Sequence, residues 1–282
     1  MLYHAGVPWL GYVKNKCKRL LVPYFVYGFA WAALFSIGGV WFSCAATTGG
    51  HLPDMAIWKP FVSVLLSNGW PDGVGFRVIN ALWFLPCFFI VEIIYYWVDR
   101  MIPDKYWQIF ILPVCFTLDK LLSPFDILWS INLVPRYLIY FIVGRMFFYK
   151  RQMQSNLLVK IALVITMFFL LAKPDIIKSI AILLGLGQWT GLFKGLCGIV
   201  GCAILSQILP LRILSITGRY TIGILVTHKI FILGMQVIPF QIKSEIQIVV
   251  IAIIVTIISW IGSLFATAVL RRWCKWTLGE FI

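Results

Sequence analysis

The run Asn80-Ala81-Leu82-Trp83-Phe84-Leu85-Pro86-Cys87-Phe88-Phe89-Ile90-Val91-Glu92 continues through Ile93-Ile94-Tyr95-Tyr96-Trp97 before charge returns at Asp99-Arg100. It constrains the fold more than any other stretch. A bilayer core takes roughly 20 consecutive apolar residues, and this run is long enough to cross one. One acid, Glu92, lies in its interior. A carboxylate there is costly unless it faces protein or water, which makes Glu92 a functional candidate. Asn80 and Trp83 stand at the entry, where amphipathic groups favour the membrane interface.

Composition generalises the point. Of 282 residues, 61% are hydrophobic and only 12% charged, where a soluble domain carries about 25% charged residues. Most of the chain therefore cannot face water. The expected fold is an all-α, polytopic transmembrane helix bundle in a cell membrane, with lipid as its first partner. The net charge of +14 marks cytoplasmic loops in such a protein. No basic run is interleaved with stacking aromatics on a soluble domain, so nucleic acid is not an expected partner. The seven cysteines form no CxxC pair, and no His stands at zinc-ligand spacing from them, so neither a metal site nor a disulfide framework is expected. Met1 to Tyr12 has no apolar core long enough for a cleavable signal.

In chain order, residues 1–19 read as a cytoplasmic basic lead, with Gly6, Pro8 and Gly11 set against one continuous helix. The cluster Lys14-Asn15-Lys16-Cys17-Lys18-Arg19 fixes this end inside. It reads as an orientation signal, or as a site for a phosphorylated donor, since Lys16 and Arg19 are expected to share a helix face. Residues 20–271 form the bundle. Spans are expected at about 20–44, 79–98, 106–120, 127–148, 157–172, 190–209, 219–239 and 246–270, about eight in all, with both termini cytoplasmic. The loop 45–78 contains His51, a segment from Trp58 to Leu66 expected to lie in the interface, and a turn at Asn68–Gly73. Pro113 is expected to kink the third span. Capping patterns stand at Ser123-Pro124-Phe125-Asp126 and Ser244-Glu245-Ile246-Gln247. The stretch before residue 190 is read as interfacial or re-entrant, because a single crossing keeps Arg212, Arg219 and the basic tail 272–282 inside. Gly191 and Gly195 form a close-packing pattern.

Three further ionisable residues are read as lying near the middle of spans. Arg136 lies near the middle of the fourth, where it pairs with an acid, binds an anionic substrate or snorkels. Glu92 is the acid placed inside a span, so a Glu92–Arg136 pair is expected. His228 and Lys229 lie near the middle of the seventh and suggest a polar interior. His228 reads either as a general base or as a hydrogen-bonded core group.

Four stretches, taken in order, resemble acyltransferase family 3, the integral-membrane O-acyltransferases that modify cell-surface and secreted sugars. They are NKCKRLLVPYF, ALWFLPCFFIVEI, PRYLIYFIVGRM and LSITGRYTIGILVTHKIF, across residues 14–240. The resemblance implies transfer of an acetyl or other short acyl group from acetyl-CoA to a hydroxyl of an exported saccharide or lipid-linked sugar. It also implies a multi-pass protein of the bacterial inner membrane. It places donor handling at Lys16 and Arg19, with Lys in place of the first Arg of the family's pair, and maps the late-span His to His228. It further implies about ten spans and a catalytic His in a first span ahead of the basic run. The segment from Met1 to His4 does not supply these, so a shortened form, or a short variant inactive alone, is expected.

Acyl transfer to an alcohol needs a base for the hydroxyl proton and a donor for the carbonyl oxyanion. His228 is the candidate base, and Arg136 or Lys229 the candidate for the charge. Glu92, Trp83 and Asn80 read as substrate-lining or structural polar core. Two other classes remain open: a catalytically inactive scaffold on the same fold, and a transporter or flippase of a lipid-linked sugar, for which repeated broken helices are the expected sign.

Overall fold

The computed structural model describes residues 8–46, 58–67, 80–102, 107–125, 127–148, 157–183, 190–208, 217–218, 220–236 and 245–280. All regular structure among them is helical. His4, His51, Arg212, Arg219, the Asn68–Gly73 turn, Asp126 and Ser244 of the two capping patterns, and the side chains of Asn80, Lys229 and Gly191's neighbour Leu192 lie outside the described residues.

The helices follow the apolar runs with their boundaries set by proline, glycine and charge. Helix α1 (Trp9–Lys16) starts directly after Pro8, where a fixed φ and a missing N–H suit the approach to a first turn. A π-helical turn, Cys17–Leu21, comes next, then α2 (Val22–Ala46). Helix α3 (Lys59–Leu66) ends on Ser67 in the left-handed region at φ 49°. A 3-10 turn, Asn80–Trp83, leads into α4 (Phe84–Met101). A second 3-10 turn, Trp107–Ile111, leads into α5 (Leu112–Leu122). Pro113 sits in the first turn of α5 and so starts a helix there instead of kinking one; its absent N–H is one that has no intrahelical partner anyway. A third 3-10 turn, Leu128–Leu133, precedes α6 (Val134–Phe148). Then come α7 (Leu157–Ala172), α8 (Pro174–Leu183), α9 (Thr190–Ile208), α10 (Thr221–Gln236) and α11 (Glu245–Trp273), and a closing 3-10 turn, Lys275–Leu278.

The chain divides into two compact units. One comprises residues 1–138 and 220–282, the other 139–219. The core of the first unit is built from Leu20, Tyr24, Trp31 and Ala32, with Val64 of α3, Leu82 and Leu85 at the entry to α4, Val226 of α10 and Leu278. The segment from Trp58 to Leu66 joins the core through Val64, while Trp58 and Leu65 stay exposed at its surface. Val64 is fully buried, its side chain lies over Gly28 of α2, and its carbonyl accepts from Tyr24. In the second unit α9 packs on α7 through its glycines: Gly201 faces Met167 and Phe168, and Gly198 faces Leu171. Of the expected glycine pair, Gly195 sits beneath the Tyr140 ring, while Gly191 has nothing within 4 Å. The ten-residue α8 rises only about 15 Å, too little to cross a bilayer.

Helix α11 sorts its side chains by polarity. Ser259, Ser263 and Thr267, four residues apart, are buried at 4%, 0% and 0% exposure, whereas Ile254, Ile261 and Phe265 are 46%, 56% and 72% exposed. Small polar residues face protein and large apolar ones face outward, the reverse of a water-soluble helix. Val250–Trp273 is the one described helix segment long and apolar enough by itself to cross a membrane. Shorter apolar helices run at Leu128–Gly144, Leu157–Leu171, Phe193–Cys202 and Thr221–Ile232.

The small residues of α11 also set its approach to α10. A methyl group on Gly223 would overlap the Thr267 side chain, and Ser259 Oγ donates to the His228 carbonyl at 3.1 Å. Replacing Gly223 by Ala forces these helices apart and costs about 1–3 kcal/mol, as overpacking does elsewhere. A lowered midpoint of thermal unfolding in detergent is the expected readout; an unchanged one would show that this contact is not tight.

Candidate functional site

Among the described residues, Glu92 and Arg136 each meet a charged partner, in two separate pairs. The first is centred on Glu92. Tyr12 and Lys16 are four residues apart on α1, so both project from one helix face. Tyr12 Oη donates to Glu92 Oε2 at 2.7 Å, and Lys16 Nζ lies 2.7 Å from Glu92 Oε1. Both carboxylate oxygens are therefore occupied by donors. The Lys16 ammonium also stands 5.3 Å from the centroid of the Tyr12 ring, within cation–π range. Burial first, and the adjoining Glu92 carboxylate second, hold the Tyr12 phenol above its usual range, so it remains a donor at physiological pH.

Aromatic rings close over this cluster. Trp9 packs on Tyr96 and Trp97, each with centroids 5.1 Å apart, and Tyr12 on Tyr96 at 4.7 Å. Tyr95, on the neighbouring face of α4, donates to Gln108 Oε1 at 3.2 Å, and Gln108 Nε2 donates to the Ile102 carbonyl at 2.8 Å. These bonds tie the end of α4 to the 3-10 turn that precedes α5.

The second pair joins Asp119 of α5 to Arg136 of α6. Arg136 Nε and Nη2 donate to the carboxylate at 3.1 and 3.0 Å, a two-pronged geometry that guanidinium alone provides. Asp119 is buried at 1% exposure, while a third of the Arg136 side chain remains exposed.

The expected Glu92–Arg136 pair is thus replaced by Glu92–Lys16 and Arg136–Asp119. The reason lies in the helix starts. The 3-10 turn before α6 puts Arg136 in its first turn, opposite the end of α5. Sequence reasoning misses Asp119 because it stands at the end of an apolar run, where a charge reads as a boundary. It misses Tyr12 too, although the four-residue spacing from Lys16 is a signal that could have found it.

Lys16 and Arg19 do not share a face. Each bond of a π turn spans five residues rather than four, so the turn from Cys17 to Leu21 widens the helix and rotates the residues beyond it. Lys16 is turned inward to Glu92, and Arg19 is exposed. Trp83 is half-buried against Tyr137 at 6.0 Å and in edge contact with Phe84. His228 is half-buried on α10, with Nδ1 3.0 Å from the Ile224 carbonyl. A carbonyl only accepts, so Nδ1 carries the proton, and in the neutral ring Nε2 keeps its lone pair. Neither hydrogen bonds nor ion pairs join His228 to the two charge pairs among the described residues.

Removing one partner of a buried pair strands the other. Glu92→Leu leaves Lys16 uncompensated and is expected to cost about 3 kcal/mol, with much of that recovered in Lys16→Met/Glu92→Leu. Additive losses in a double-mutant cycle of unfolding midpoints would deny the pair. Likewise Arg136→Met is expected to lower stability more than Asp119→Ala, because the guanidinium left by Asp119→Ala can reach solvent while the carboxylate left by Arg136→Met is buried; the same melts decide it.

No curated protein and no solved structure matches the chain. A family model described as the acyltransferase domain, that of acyltransferase family 3, matches residues 3–265. That range takes in both charge pairs, the basic turn and His228. With nearly its whole length matched, the chain belongs to the acyltransferase family 3 proteins.

Proposed function

We propose that this protein is a multi-pass membrane O-acyltransferase that moves an acetyl or other short acyl group from acyl-CoA to a hydroxyl of a saccharide or lipid-linked sugar. The family match over residues 3–265 carries the reading. The outward apolar face of α11 supports the membrane setting. Several described helices are shorter than a full crossing, and short 3-10 turns extend α4, α5 and α6 at their starts. These turns add length to runs that the sequence reads as spans.

The donor's anionic phosphates suit the exposed cations of α1 and the π turn. Lys14 and Arg19 are exposed there, and charge-assisted contacts to phosphate are strong and directional for guanidinium. Lys16, held by Glu92, fixes the geometry of this end instead of offering a free charge. His228 is the proposed base. Its Nε2 takes the proton as the sugar oxygen bonds to the thioester carbonyl carbon; the C–S bond then breaks and the CoA sulfur leaves as thiolate or, once protonated, thiol. Arg136 retains exposure beside Asp119 and is the proposed donor to developing charge, with Lys229 next to His228 in sequence as the other cation. Asn80 and Trp83 at the entry to α4 are proposed to line the acceptor side.

The commitment of both Lys16 and Arg136 to carboxylates also favours a second reading, a family member that keeps the fold without turnover. One assay separates the two. Purified protein in detergent is given acetyl-CoA and oligosaccharide acceptors, and release of free CoA thiol is followed. Arg19→Ala is expected to raise the KM for acetyl-CoA with little change in kcat, and His228→Gln to lower kcat by about 10²- to 10⁴-fold. Acceptor-dependent thiol release that survives His228→Gln would remove that residue from the chemistry. No release from the unaltered protein with any acceptor would favour the scaffold.

A further inference from the structure

The segment after α11 extends beyond the matched family range, which ends at residue 265, and it is built into the core. Leu278 is 3% exposed and packs in the cluster with Leu20 and Tyr24. Thr277 Oγ1 is 3.0 Å from Tyr27 Oη. Arg271 forms an ion pair with Glu280 and lies 4.3 Å from the Tyr220 ring centroid. These contacts tie the segment to α2 and to the end of α11.

Gly279 makes the closest approach. Its φ is +73°, and a Cβ there would lie 2.6 Å from Arg19 Cα, 2.7 Å from the Lys18 carbonyl oxygen and 2.9 Å from the Arg19 carbonyl oxygen. The neighbours are backbone, which cannot swing aside as a side chain can. Only glycine meets both demands, the left-handed conformation and the missing Cβ. The backbone it touches belongs to the π turn Cys17–Leu21. A π turn is a poor conformation in isolation and persists where surroundings hold it, often beside functional sites.

We propose that the segment from Lys275 to Glu280 is a brace for the basic π turn, with Gly279 as the positioning residue that sets the direction of Arg19 toward the phosphates of the acyl donor. The part concerning the donor rests on the acyl-CoA reading above; the brace itself rests on the contacts alone. Gly279 touches no substrate. It acts by keeping the turn wide, which holds Lys16 on Glu92 on one side and leaves Arg19 presented on the other. A side chain at position 279 pushes the turn away, and the cation moves with it.

The test uses the full-length protein in detergent with two readouts. The first is site-resolved maleimide labelling of Cys17, the half-buried first residue of the turn, read by mass spectrometry. The second is a KM-against-kcat comparison with acetyl-CoA and the acceptor. Gly279→Ala is expected to speed Cys17 labelling and to raise the KM for acetyl-CoA about three- to tenfold, the scale at which a modest misplacement of a binding group is felt. The acceptor KM should stay unchanged, and the effect should not add to that of Arg19→Ala. Thr277→Val, which removes the Tyr27 contact without a clash, should give smaller changes in the same direction and serves if Gly279→Ala does not accumulate. Unchanged Cys17 labelling in both variants overturns the brace. Faster labelling with equal losses for donor and acceptor overturns the positioning role. If the unaltered protein turns over no acyl-CoA, the acyltransferase reading falls separately, and Cys17 labelling alone judges the brace.

Discussion

A carboxylate inside an apolar helix must be met by donors, and Glu92 is met twice, by the ammonium of Lys16 and the hydroxyl of Tyr12. Much of the first unit depends on that requirement. The donors come from α1, so this short helix is held against α4. The aromatic stack of Trp9, Tyr12, Tyr96 and Trp97 then shields the ion pair from water, which strengthens the attraction and raises the penalty for losing either partner. The π turn begins directly after Lys16. A basic run that would otherwise be a loose orientation signal becomes a fixed piece of structure with one cation inside and another outside.

The same economy of small contacts governs the helix pairs. Between α10 and α11 the near-absence of side chain at Gly223 and the short hydroxyls of Ser259, Ser263 and Thr267 bring two backbones close. In a bilayer, whose lipid tails are as apolar as leucine, close packing and hydrogen bonds, rather than apolar burial, would hold such pairs together. The glycines of α9 do the same against α7 in the other unit. At the far end of the first unit, Gly279 carries the principle to its limit, backbone against backbone.

Strain marks a further region of the first unit. Ser67, Trp129 and Ser130 all have positive φ, at 49°, 57° and 53°. They are neighbours in space: Trp129 Nε1 donates to the Leu65 carbonyl at 2.9 Å, and Ser130 Oγ to the Ser67 carbonyl at 3.2 Å. These bonds satisfy carbonyls at the end of α3 that have no intrahelical donors, and they offset the conformational cost at each residue. The 3-10 turn so anchored is what delivers Arg136 to Asp119.

The helical class, the outward apolar faces and the kinship were legible in the sequence, because they depend on composition and on ordered local motifs. Helix positions were legible too: the runs at Leu157–Ala172, Thr190–Ile208 and Glu245–Trp273 lie where apolar length and flanking charge require them. Partnership was not. Whether Glu92 meets Arg136 or Lys16 depends on how far two helices rotate, and one π turn or one 3-10 turn changes that rotation without a trace in hydropathy. Asp119 looks like a boundary and Gly279 like part of a trailing end. The sequence by itself determined which residues are too polar for lipid and must find partners; only the tertiary structure decided who those partners are, because pairing is fixed by helix rotation and close approach, which are properties of several segments at once.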